Sequence, residues 1–139
     1  MDPSCIEYQL GDTVPINSRA KGARFERWLA GWFRDEGFSP AAKRGCQHMG
    51  RDIKTGDDAP DVIVPGITDW MHIEAKAVER LQLQDAMDQA RRDAGEKIPC
   101  VIHKRNNCEP LFTMPLSALP KFLRGDLPPE TPKENINQT

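Results

Sequence analysis

Five large apolar side chains recur at helical spacing in the first third of the chain. They occupy positions i, i+3, i+4, i+7 and i+8 of one pattern: Phe25, Trp28, Leu29, Trp32 and Phe33. This periodicity predicts a helix over residues 19–36, capped by Ser18 and ended at Gly37, with the aromatic stripe buried. Such a helix must cover an apolar surface, so we expect it to anchor a packed core.

Two runs rich in β-branched and apolar residues follow this helix. Asp61–Val64 and Trp70–Lys76 flank a Pro65–Gly66 turn, which predicts a β-hairpin. The further predicted elements are a helix over Leu83–Ala94, strands over Cys100–His103 and Leu111–Met114, and a short helix over Ser117–Leu123. This order indicates an α/β fold with one central mixed β-sheet flanked by α-helices.

The length of 139 residues and the mass of 15.7 kDa fit one domain. We expect an irregular leader over residues 1–17, a folded domain over 18–124 and a loose tail over 125–139. No apolar run approaches the roughly 20 residues of a membrane span, and the N-terminus does not resemble a secretory signal. The four cysteines form no CxxC pair, which favours reduced thiols in a cytoplasmic protein.

Basic residues cluster between positions 17 and 54, although the whole chain carries a net charge of only −2. This segment holds nine basic residues against four acidic ones. Its basic residues are Arg19, Lys21, Arg24, Arg27, Arg34, Lys43, Arg44, Arg51 and Lys54. The clustering indicates either a phosphate-facing surface or an ordinary solvated face.

Three residues of the predicted hairpin suggest metal chemistry. Asp61 opens the first strand, and Glu74 and Lys76 share one face of the second because strand side chains alternate. A hairpin brings Asp61 beside Glu74, where two carboxylates repel unless a cation joins them. Oxygen ligands favour Mg²⁺ or Mn²⁺, and the backbone carbonyl of Ala75 adds a further ligand. Lys76 would orient water or stabilise charge on a phosphate.

Other readings of these residues stay open. The same pattern occurs in a surface strand that carries an ordinary salt bridge. Asp52, Asp57 or Asp58 could replace or supplement Asp61, although Pro60 and the apolar strand after Asp61 favour the latter. Glu26 lies about 100° from Phe25 around the first helix, so it borders the buried face and either reaches the metal or is an ordinary boundary residue.

The segment Pro60-Asp61 with Glu74-Ala75-Lys76 resembles the signature of PD-(D/E)xK nucleases. The stretch Lys21–Arg27 is similar to the first helix of archaeal-type Holliday-junction resolvases and their phage relatives, in which a glutamate matching Glu26 joins the active site. Further similarities are the Gly50–Asp52 loop, Gln89 on the second helix, and Lys104–Asn106 after a strand. The resemblance covers residues 18–114.

This resemblance implies a restriction-endonuclease-like fold and a divalent-metal-dependent endonuclease that cleaves four-way or branched DNA. Glu26, Asp61, Glu74 and Lys76 would be catalytic, with Gln89 supporting them. Two active sites are needed to nick a junction symmetrically, so a homodimer is expected. A phage protein would act in the host cytoplasm. The residues expected to contact DNA are Arg19, Lys21, Arg24, Lys43, Arg44, Arg51 and Lys104.

Alternative functions and sites remain open. A restriction- or repair-type nuclease of the same superfamily is the main alternative, followed by an inactive DNA-binding module. His72 either flanks the metal or is an ordinary histidine of its strand. Cys46 with His48, and Cys100 with His103 and Cys108, match no common zinc spacing. No phosphate-binding glycine loop occurs, so a nucleotide cofactor is not expected.

Overall fold

The computed structural model describes residues 18–45 and 60–125. It contains a helix, two short strands, a βαβ unit and a C-terminal strand and helix. Helices are α1 (Ser18–Asp35), α2 (Leu83–Ala94) and α3 (Leu119–Arg124), the last preceded by a 3₁₀ turn over Leu116–Ala118. Strands are β1 (Lys43–Arg44), β2 (Val62–Ile63), β3 (Met71–Ala77), β4 (Ile98–Lys104) and β5 (Leu111–Thr113).

The strands form two small sheets. β3 pairs in parallel with β4, and β4 pairs antiparallel with β5, so this sheet is mixed. β1 pairs antiparallel with β2 in a separate two-stranded sheet. The chain is therefore a mixed α/β protein, as the sequence predicted. None of the helices within the described ranges is long and apolar enough to cross a membrane.

The prediction of one central sheet with a hairpin is wrong in its pairing. β2 takes β1 as its ladder partner, and the backbone N–H of Asp61 donates one hydrogen bond to the carbonyl of Ile73 in β3 (3.0 Å). Pro60 and Pro65 flank the segment and lack an N–H group. A longer ladder is disfavoured there because proline cannot donate to it.

Helix α1 covers one face of the three-stranded sheet. Phe25 and Leu29 pack with Ile73 and Ala75 of β3 and with Ile102 of β4 in the main core cluster. The aromatic stripe is buried only in part, because Trp28 is half-buried and Trp32 is 39% exposed. The expectation that all five stripe residues are buried is therefore wrong for Trp32.

The end of α1 is fixed by a Schellman motif. Gly37 adopts a left-handed φ of 85°, and its N–H donates to the carbonyl of Arg34 (3.0 Å). The N–H of Phe38 donates to the carbonyl of Phe33 (3.1 Å), and the two rings meet edge to face at 5.9 Å. This combination of a glycine and a hydrophobic contact is the usual way to satisfy the last carbonyls of a helix.

Helix α2 covers the opposite face of the sheet. Ala86, Met87 and Ala90 pack with Val101 of β4 in a second core cluster. Because β3 residues alternate faces, His72, Glu74 and Lys76 point to the α2 side, away from Ile73 and Ala75. The polar residues of β3 thus lie between the sheet and α2.

Gly45 allows two backbone segments to approach closely. A Cβ at this position would lie 2.1 Å from the carbonyl oxygen of Pro60, and the Gly45 N–H donates to the carbonyl of Asp61 (2.8 Å). We expect Gly45→Ala to lower the free energy of unfolding by about 2 kcal/mol, because backbone must move to remove this clash. Thermal unfolding followed by circular dichroism measures the effect.

Gly22→Ala is the matched control for this prediction. Gly22 lies within α1 and its added Cβ would meet nothing within 4 Å. Alanine is the better helix former by about 1 kcal/mol, so this variant should unfold at a higher temperature than the parent. Equal stability of the two variants would contradict the proposed close approach at Gly45.

Candidate metal centre at the edge of strand β3

Asp61 is attached to the edge of β3 that faces away from β4. Its backbone N–H bonds to the Ile73 carbonyl, and its Oδ2 accepts a hydrogen bond from the N–H of Ala75 (2.8 Å). The side chain is buried, with Asp61 only 6% exposed. Main chain and side chain together therefore hold this carboxylate against two successive peptide groups of β3.

The Ala75 carbonyl lies at the same edge as the Asp61 carboxylate. In a β-strand, the N–H and C=O groups of one residue point toward the same neighbour. Since the Ala75 N–H points to Asp61, its carbonyl also faces that edge. The Ala75 carbonyl, which the sequence predicted as a metal ligand, therefore lies on the same side of β3 as the Asp61 carboxylate.

The pKa of Asp61 is raised from 3.8 to about 7. Burial is the largest cause, and the nearby carboxylate of Glu74 is the next, with a smaller contribution from Glu26. The Ala75 N–H and the Lys76 ammonium act in the opposite direction. The charges that shift the pKa of Asp61 therefore belong to Glu26, Glu74 and Lys76, the other three residues that the sequence predicted to be catalytic. A divalent cation would favour ionised Asp61.

Glu74 contacts a histidine on its own strand. His72 Nε2 lies 2.8 Å from Glu74 Oε1, and both side chains are almost fully buried. Asp93 of α2 faces the same pair, and the ligand atoms of these three residues lie within 4.8 Å of one another. A nitrogen and two carboxylates at that spacing can hold one divalent ion.

Asp61 does not belong to the group of His72, Glu74 and Asp93. Glu74 therefore adjoins two sets of possible metal ligands. Asp61 and the Ala75 carbonyl lie at the edge of β3, while His72 lies on the face of β3 that α2 covers and Asp93 belongs to α2 itself. The sequence prediction named the first set and treated His72 only as a possible neighbour. It did not identify Asp93.

Lys76 is held by α2. Its Nζ donates to Oε1 of Gln89 at 3.2 Å, and both side chains are half-buried. Gln89 and Asp93 lie four residues apart on α2, so they occupy the same flank of the helix beside the buried Ala90. This spacing beside the apolar stripe is the sequence signal that would have identified Asp93 together with Gln89.

Glu26 is positioned by Arg44. Arg44 Nε donates to Glu26 Oε1 at 2.7 Å, and the Glu26 side chain is only 12% exposed. The pair ties the first half of α1 to β1. Arg44, which was expected to contact DNA, is thus engaged with a carboxylate of the site, although its side chain is still 38% exposed.

The other residues expected to contact DNA have different settings. Arg19 and Lys43 are exposed, Arg24 is half-buried, and Lys21 Nζ lies 4.0 Å from Glu79. Lys104 is buried, and desolvation lowers its pKa. Lys104 is thus withdrawn from the surface that a phosphate backbone would touch. Arg51 lies outside the described residues, as do Asp52, Asp57 and Asp58.

Cys100 and Cys108 form no disulfide, and within residues 18–45 and 60–125 they form no metal-binding cluster with His103. Burial raises the pKa of Cys100, and the Glu74 carboxylate raises it further. His103 Nε2 lies 2.9 Å from Thr113 Oγ1. Cys46 and His48 lie outside the described residues.

Comparison of this chain with family models, with curated proteins and with solved structures finds no match. The assignment of a function therefore depends on the chemistry of the residues around Asp61 and Glu74.

The raised pKa of Asp61 makes stability depend on pH. Between pH 4 and 7 the folded chain binds a proton that the unfolded chain releases, so the free energy of unfolding falls as pH rises through this window. Asp61→Asn removes the buried charge. In metal-free buffer we expect its melting temperature to exceed that of the parent by about 5 °C at pH 8 and to converge with it near pH 4.

Calorimetry across this pH range, with chelator present, measures the difference. Asp69→Asn is the matched control, because Asp69 is exposed and should show no such pH dependence. A melting temperature of Asp61→Asn that stays at or below the parent value at pH 8 would show that Asp61 carries no unfavourable buried charge.

Proposed function

We propose that this protein is a divalent-metal-dependent DNA endonuclease that hydrolyses phosphodiester bonds. The observation that carries the proposal is geometric: the buried Asp61 carboxylate is held by the N–H of Ala75, the residue of β3 between Glu74 and Lys76. The raised pKa of Asp61 agrees with this placement, since burial is its largest cause, Glu74 and Glu26 raise it further, and Lys76 lowers it. Three carboxylates and a half-buried amine around one strand suit phosphoryl transfer, in which positioning and charge stabilisation dominate.

The donor set fits Mg²⁺ or Mn²⁺. Asp61, Glu74 and the Ala75 carbonyl offer hard oxygen ligands at the edge of β3, and water and a phosphate oxygen would complete the coordination. The bound ion would polarise the phosphoryl oxygens and lower the pKa of a bound water. His72 and Asp93 give Glu74 a second donor set, and its nitrogen favours Mn²⁺ over Mg²⁺.

The proposed role of Lys76 is to position the water that attacks the phosphorus atom. Gln89 Oε1 accepts a hydrogen bond from one of the three N–H groups of the Lys76 ammonium, which fixes the direction of the lysine side chain. The amine can then orient a water or stabilise negative charge on the phosphate. Glu26, fixed by Arg44, would accept a hydrogen bond from a water on the α1 side of Asp61.

The substrate class follows from surface charge and from the resemblance to junction resolvases. Arg19 and Lys43 are exposed cations on α1 and β1, the two elements that position Glu26. We propose that they contact the phosphate backbone of branched DNA, with the protein acting as a homodimer in the cytoplasm. A nuclease specific for a sequence or for a repair intermediate is the alternative within the same proposal.

Cleavage of a labelled four-way junction tests the activity. With Mg²⁺ or Mn²⁺ the parent should cut the junction faster than a linear duplex of the same sequence, and chelator should abolish cutting. Glu74→Ala and Lys76→Ala should each lower the rate by at least about 100-fold, because a ligand or the charged amine is lost.

Two variants serve as controls for this assay. Glu96→Ala and Arg91→Ala remove an exposed acid and an exposed cation outside the site, and both should cut as the parent does. If Glu74→Ala and Lys76→Ala also retain the parental rate, the site assignment is wrong. Tight junction binding without any cutting would instead support an inactive DNA-binding module.

Binding of the junction in Ca²⁺ buffer tests the proposed backbone contacts. Affinity should fall steeply with salt, because cationic side chains release counterions from phosphates. Arg19→Ala and Lys43→Ala should each weaken binding and reduce the slope of log K against log salt by about one. The buried Lys104 predicts a smaller change for Lys104→Gln, and equal effects at all three positions would contradict these contacts.

A further inference from the structure

An apolar surface lies apart from the candidate metal centre. It surrounds a cavity of about 560 Å³ whose lining includes Trp32 and Phe38 at the end of α1, Leu111 and Phe112 of β5, and Phe122 of α3. We call these five residues, with the neighbouring Leu116 and Leu123, the aromatic face. Glu26, Asp61, Glu74 and Lys76 are not among the residues that line this cavity.

The aromatic face is unusually exposed for apolar side chains. Phe38 is 52% exposed, Leu116 80% and Leu123 73%, and the remaining members are between 39% and 57% exposed. Leu83 is the other exposed large hydrophobic residue in the described part of the chain. Seven of the eight exposed large hydrophobic residues in the described part of the chain therefore belong to the aromatic face. Such a concentration of exposed apolar side chains is typical of an interaction site.

The area of this face fits a protein interface. Seven large side chains of roughly 200 Å² each, about half exposed, present on the order of 700 Å² of apolar surface. A stable dimer of standard size buries about 800 Å² on each partner. The face alone thus supplies most of the surface that one partner needs.

The shape of the face suits a second copy of the chain. It carries a concave cavity and, in Leu116 and Leu123, the two most exposed side chains of the face. Leu116 precedes Phe122 by six positions and Leu123 follows it directly. A two-fold axis brings the same patch of both copies together, so each copy can insert a projection into the hollow of the other. A projection and a hollow on one patch meet this requirement.

Strand β5 adds a hydrogen-bonding edge to the same face. β5 pairs with β4 on one side, and in the described part of the chain no strand pairs with its outer edge. Antiparallel pairing of β5 with β5 of a second copy is compatible with a two-fold axis and would satisfy these peptide groups.

Charge argues against a nucleic acid as the occupant. Among the residues lining the cavity, Glu109 is the charged one, and it is acidic. Phosphate groups would be repelled there. Exposed Lys121 and Arg124 flank Phe122 on α3, so the patch carries both signs at its margin and is complementary to itself.

We propose that the aromatic face is the interface of a homodimer, formed by two-fold pairing of the cavity, the α3 side chains and the β5 edges. This inference stands on the surface alone and does not require nuclease activity. The residues of the candidate metal centre do not line the cavity, so this pairing leaves the centre outside the interface.

Sedimentation equilibrium of the full chain, without DNA or metal, tests the interface. We expect a dimer at about 10 µM chain. Leu116→Lys and Leu123→Lys should each raise the dimer dissociation constant by about 30-fold or more, because a charge replaces an apolar contact at the interface. Both side chains are exposed, so circular dichroism and melting temperature should match those of the parent.

Leu83→Lys is the matched control, since Leu83 is exposed to a similar extent as Trp32 but lies on α2. It should leave the dissociation constant unchanged. A chain that stays monomeric at all concentrations would overturn the proposal. That result is expected if another segment of the chain or a different protein covers the aromatic face. So would a dimer that both variants leave intact. Junction cutting is scored separately, so a dimer without nuclease activity refutes the proposed function and leaves this interface in place.

Discussion

The arrangement around the candidate centre depends on the attachment of Asp61 to β3. One backbone and one side-chain hydrogen bond hold this residue against Ile73 and Ala75, and Gly45 permits the close approach of the segment that carries it. The attachment places a carboxylate in a buried position beside Glu74. Everything else in the site is arranged around that charge: Lys76 is fixed from α2, and Glu26 is fixed from β1.

The two helices serve the site in different ways. α1 supplies the main core and carries Glu26 at the border of its buried side, so helix packing determines where that carboxylate lies. α2 covers the polar face of β3 and brings Gln89 and Asp93 toward it. A βαβ unit thus provides both the strand that carries the candidate site residues and the helix that contacts them.

The sequence predicted local features well because they depend on short-range periodicity and caps. The bounds of α1 and α2 follow from their apolar stripes, and Gly37 ends α1 as expected. Strand pairing was predicted less well, because it depends on contacts between distant segments and on prolines that interrupt a ladder. The contact of His72 with Glu74 required knowledge of burial, and the position of Asp93 required knowledge of which helix covers β3.

Small side chains along α2 have a consequence for the geometry of the site. Ala86 and Ala90 pack directly on Val101, so the thickness of a methyl group sets the separation between helix and sheet. The reach from Gln89 to Lys76 is matched to that separation. The apolar layer therefore sets the distance between the polar groups of α2 and β3, and bulkier residues in that layer would change this distance without touching any charged group.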